Sequence, residues 1–70
     1  MMPLTLAEAG EENIIKIIGV KDEVKIHMEN LGFVVGGTVT VINTIGGNVI
    51  VNVKDSRVAI SKEMAQKIMV

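Results

Sequence analysis

Cysteine, tryptophan and tyrosine are missing from this 70-residue chain, and phenylalanine, proline and histidine occur once each. Without cysteine there is no disulfide framework and no thiolate zinc site. That usage fits a reducing cytoplasm. With Phe33 as the sole aromatic, the chain has no stacking platform for single-stranded nucleic acid. With His27 as the sole imidazole, it has no second histidine to complete a multi-histidine metal site or a relay behind a serine nucleophile. The net charge of −1 gives no basic surplus for nucleic acid or anionic lipid. No run of about 20 apolar residues is present, so no segment reads as a membrane-spanning helix. The opening Met-Met-Pro-Leu-Thr-Leu-Ala-Glu has neither a cationic start nor a long apolar run, and does not read as a signal peptide.

What is present is aliphatic. Hydrophobic residues make up 49% of the chain, with valine and isoleucine prominent, which favours strands around a dry core. The length predicts one domain, residues 1–70. A core this small supplies only about 3–5 kcal/mol, so the fold must be economical.

Residues 3–10 read as a short capped turn. Thr5 is the expected N-cap, Glu8 completes the capping-box spacing, and Gly10 closes it. Leu4, Leu6 and Ala7 are expected to seal one end of the core. Asn13-Ile14-Ile15-Lys16-Ile17-Ile18-Gly19 reads as one strand. Ile15 and Ile17 are assigned to one face, Ile14, Lys16 and Ile18 to the other. Residues 21–31 change period: Val24, Met28 and Leu31 form a helical stripe, Asp22 and Glu23 favour its start, and Gly32 stops it. Thr38 to Asn43 alternates as a strand, Gly46-Gly47 reads as a hairpin turn, and Asn48 to Lys54 returns. Asp55-Ser56 is expected to turn the chain into a last short strand, Arg57 to Ile60. Ser61 caps a short helix over residues 62–68, and Met69-Val70 can add a closing strand. Four or five strands this short cannot form a sandwich. The expected architecture is mostly β: a small, partly open barrel of about five strands, with the inserted helix plugging one end and a short helix near the C-terminus.

No catalytic constellation emerges. Glu23 and His27 share one helix face at i, i+4, but two ligands without a third make a poor metal site. Ser56 and Ser61 occupy turn and cap positions. Glu8, Glu11 and Glu12 read as a solvated rim. Gly32-x-x-x-Gly36-Gly37 lacks the Lys-Ser/Thr of a phosphate loop and is followed by a strand. The reading is therefore a non-enzyme with no metal ligands and no cofactor. The glycines at 32, 36, 37, 46 and 47 are assigned structural turns. What remains is apolar surplus: Phe33, Val34 and Val35 between the loop glycines, and Ile42 and Ile50 on outward strand positions. These five are the docking candidates, for a partner protein or for self-association.

The order of these motifs resembles the FeoA family. The likeness runs from Leu4–Gly10 through Ile15-Lys16-Ile17-Ile18-Gly19, Met28-Glu29-Asn30-Leu31-Gly32-Phe33-Val34-Val35-Gly36, the Thr38–Val41 strand, Gly47–Val53 and Arg57-Val58-Ala59-Ile60 to Ala65-Gln66-Lys67-Ile68-Met69-Val70. One position departs: Val35 stands where the family often carries proline. The resemblance implies an SH3-like barrel. It also implies a cytoplasmic accessory role in ferrous iron transport, through contact with FeoB, a membrane transporter with a cytoplasmic GTPase domain. Similar barrels form the C-terminal domain of iron-dependent repressors. A self-associating or repressor-associated regulatory barrel is therefore the alternative.

Overall fold

The computed structural model describes all residues, 1–70. The stretch Pro3–Leu6 is organised by its proline. Leu4–Leu6 form a 3-10 turn whose N-cap is Pro3, with no side-chain capping bond. Thr5 therefore lies inside the turn and is not its cap. A proline at the cap position has its φ already fixed and no N–H to satisfy. Leu4 is buried, while Leu6 points to solvent, against the expectation that both seal the core. Three residues per turn cannot put Leu4 and Leu6 on one side.

The isoleucine-rich stretch is two strands. β1 (Glu12–Ile14) pairs antiparallel with β3 (Thr38–Ile45), and β2 (Ile17–Ile18) pairs antiparallel with β6 (Ile68–Met69). Between them the chain changes sheet at Ile15 and Lys16. The predicted faces are corrected accordingly: Ile15 and Ile18 are buried, whereas Ile14 and Ile17 are exposed. The alternation of a single strand is lost where the chain bends from one sheet to the other.

The main sheet has the order β1-β3-β4-β5, with β4 spanning Asn48–Val53 and β5 spanning Ser56–Ser61. The β3–β4 hairpin turns at Gly46-Gly47, where Gly46 has φ +59°. The β4–β5 hairpin turns at Lys54-Asp55, one residue earlier than the sequence suggested. Both turn residues are left-handed, with φ 48° and 62°. That pair matches the right-handed twist of a two-residue hairpin, and β5 gains Ser56 and Ser61 over the expected strand. The register of β3 on β4 shifts between Val41 and Asn43, so Ile42 is a bulge residue.

α1 (Asp22–Asn30) docks through buried Met28 and half-buried Val24 and Leu31, as its stripe predicted, with Ile26 left outside. α2 (Lys62–Ala65) is capped by Ser61, whose hydroxyl accepts from the Met64 N–H at 3.1 Å. The chain ends meet: the Met2 N–H donates to the Val70 carbonyl, and the Val70 N–H to that of Met2, both at 2.8 Å. One cluster of 14 buried aliphatic and aromatic residues fills the space between sheets and helices, with no buried polar side chain. The strands number six, and the main sheet stays open: β1 and β5 are its two edges.

Candidate docking surface

The glycine-bracketed connection after α1 is built by its helix cap. Gly32 has φ +107°, a conformation only glycine takes without strain. Its N–H donates to the Glu29 carbonyl, and the Phe33 N–H to the Met28 carbonyl, each at 2.9 Å. This is a Schellman cap, and its usual companion is a hydrophobic contact between the residues that Phe33 and Met28 represent. Both side chains lie in the core, and Phe33 is 0% exposed. Phe33 therefore offers nothing to a partner. The cap that ends the helix also aims this side chain inward.

The next turn does the opposite. The Gly37 N–H donates to the Val34 carbonyl at 2.9 Å, and Gly36 has φ +89° at the third position. The positive φ there is the mark of a type II turn, which puts Val35 at the position where proline is favoured. Gly37 needs no unusual φ; a Cβ on it would fall 3.1 Å from the Val34 carbonyl oxygen. The tip is held down by the sheet junction: the Ile15 N–H donates to the Gly37 carbonyl at 2.9 Å, and the Gly36 N–H to that of Ile15 at 2.8 Å. Ile15 is buried beneath. Val34 is half-buried and Val35 is 56% exposed.

These bonds set exposed Val35 beside a segment carrying exposed Ile14 and Ile17. Sequence reading missed both isoleucines as surface residues, because it treated residues 13–18 as one strand. The signal was there: Ile14-Ile15-Lys16-Ile17-Ile18 sets an apolar pair on each side of a lysine, which no single alternating strand can place on one face.

Ile42 and Ile50 are elsewhere. Both are half-buried. Ile50 pairs with Asn43 on one side and Ala59 on the other. From Thr38, next to the loop tip, to Asn43 is roughly 15 Å along β3. The five candidates thus divide into a buried anchor, a loop tip with its isoleucine neighbours, and a separate patch on the outer sheet face.

The remaining concavity is a shallow hollow of about 180 Å³ lined by Glu12, Thr38, Thr40, Asn52, Lys54 and Asp55, with no apolar side chain. Nowhere do three His, Asp or Glu side chains converge on one point. Glu23 and His27 are both exposed on α1. No helix is long and apolar enough to cross a membrane.

A sequence model of the FeoA domain matches residues 2–70. The chain belongs to the FeoA domain family. Relatives agree with this placement. An Fe(2+) transport protein A of Methanocaldococcus jannaschii is 37% identical over 70 residues, covering 100% of this chain and 85% of its own. The crystal structure of an iron uptake regulatory protein (FeoA) superposes with a TM-score of 0.87 at 28% identity, covering 99% of this chain and 92% of its own. The solution structure of the FeoA protein from Chlorobium tepidum has a TM-score of 0.88 at 21% identity, covering 97% of this chain and 67% of its own, and shares the fold. This FeoA-domain chain thus has the SH3-like, mostly β architecture that the motif order implied, opened into two sheets.

Proposed function

We propose that this chain is a cytoplasmic, non-enzymatic accessory protein of ferrous iron transport. It works as a single domain over residues 1–70. It binds the cytoplasmic GTPase domain of a FeoB-type membrane transporter and modulates it. The family match over residues 2–70 carries the reading. The name of the 37% identical relative supports the transport role. The exposed apolar tip at Val35 supplies a contact surface on a base hydrogen-bonded to Ile15, in a segment that also exposes Ile14 and Ile17. A rigid apolar tip suits recognition, since little order is lost when it docks.

The test is titration of this protein into the isolated cytoplasmic domain of the transporter. Val35→Asp is expected to weaken binding at least tenfold, while circular dichroism stays that of the wild type, because Val35 lies outside the core. Absence of binding with both proteins folded would overturn the proposal. Undiminished binding by Val35→Asp would move the contact off this loop.

A further inference from the structure

The free edge of β5 carries backbone groups with no partner. The β4–β5 hairpin has a two-residue turn with both residues left-handed, and Val53 pairs with Ser56 next to it. In such a hairpin the pair flanking the turn exchanges both backbone hydrogen bonds. The register then runs without a bulge to Asn48 opposite Ser61. Ser56, Val58 and Ile60 therefore aim their N–H and C=O groups at β4. Arg57 and Ala59 aim theirs away from the sheet, as Ser61 does its N–H; the Ser61 carbonyl, at the N-cap of α2, accepts the first helical bond. The other side of β4 agrees. Its Ile45–Asn48 turn pair sends the groups of Asn48 and Ile50 toward β3, leaving Val49, Val51 and Val53 for β5. No loop backbone covers the outward groups of β5. The ladder to β4 continues one step past β5, with the Lys62 N–H bonded to the Gly47 carbonyl at 3.0 Å, and α2 begins there.

Edges like this are normally blunted by lysine, proline, a bulge or shortness. β5 has six residues, Ser-Arg-Val-Ala-Ile-Ser, with none of those guards and a single charge, Arg57. Its pattern is also self-complementary. Turned about a two-fold axis through Ala59, the strand sets Ala59 opposite Ala59 of a second copy. Arg57 then falls opposite Ser61, and Val58 opposite Ile60. Every one of these opposed pairs is chemically compatible. Small residues meet on the axis, no like charges face each other, and the two aliphatic residues pair on the inner face, continuing the core layer. This register joins both backbone groups of Ala59 across the axis, and the Ser61 N–H to the Arg57 carbonyl on either side of it. A net charge of −1 per chain adds little repulsion.

We propose that β5 is a self-association edge: two copies pair antiparallel through Arg57, Ala59 and Ser61 and join their four-stranded sheets into one continuous sheet. This surface is separate from the Val35 tip and does not depend on the transporter reading.

Sedimentation over a concentration series is expected to show a reversible monomer–dimer equilibrium. Backbone hydrogen exchange should give an alternating signature: the amides of Ala59 and Ser61 gain protection as concentration rises, while Val58 and Ile60 are protected throughout. Ala59→Lys places two cations on the axis and should leave a monomer with an unchanged fold. Ala59→Pro removes an outward N–H and no bond to β4, and should do the same; it serves if the lysine variant misfolds. A protein that stays monomeric at every concentration overturns the proposal. So does a dimer that both variants retain, or one whose Ala59 and Ser61 amides exchange freely.

Discussion

Replacing Phe33 by alanine tests how the loop after α1 is built. The side chain is 0% exposed and sits one residue beyond the left-handed Gly32. A buried phenylalanine cut back to alanine costs about 3–5 kcal/mol, transfer and cavity together. A chain of this size has a total stability of only about 3.5–10 kcal/mol at the usual share per residue. The substitution therefore removes a third or more of it. At about 4–8 °C per kcal/mol for a domain of this length, the Tm should fall by about 12–40 °C. Thermal and urea unfolding followed by far-UV circular dichroism reads this directly. Val35→Ala, two residues on and 56% exposed, is the control and should stay within about 0.5 kcal/mol of wild type. A Phe33→Ala loss below about 1 kcal/mol would refute the placement of Phe33 as core and return it to the surface.

Two further changes test the turn and the second cap. Val35→Pro should stabilise by about 0.4–1 kcal/mol, because the turn already has the conformation proline prefers and the unfolded chain loses freedom; the Val35 N–H makes no backbone hydrogen bond that proline would break. A lowered Tm would mean that the turn is not type II. Ser61→Ala should cost about 1 kcal/mol by leaving the Met64 N–H without its 3.1 Å acceptor, and an unchanged urea midpoint would show that the cap contributes nothing.

Much of the fold was legible in local chemistry. The Val24, Met28 and Leu31 stripe, the Gly32 stop, the Gly46-Gly47 hairpin and the Ser61 cap each follow from near neighbours, so sequence reading placed them correctly. The hairpin at Lys54-Asp55 was read one residue late, because neither residue is a glycine and the left-handed conformation there is imposed by the strands it joins. The candidate surface was legible only in part: Val35 is exposed but Phe33, two residues before it, is core, and the exposed Ile14 and Ile17 come from a stretch read as one strand.

Composition and pattern alone determined that this chain is a small, aliphatic, cysteine-free β protein, and the order of its motifs pointed to the FeoA family. Only the tertiary structure decided which apolar residues face water. The four isoleucines at 14, 15, 17 and 18 are identical in hydrophobicity. Their exposure is fixed by where the chain changes from the β3 partner to the β6 partner, a choice made by segments more than 20 residues away in sequence. The same is true of the β5 edge. Nothing in Ser-Arg-Val-Ala-Ile-Ser says whether a sixth strand will close over it. The pairing of β6 with β2 leaves it open.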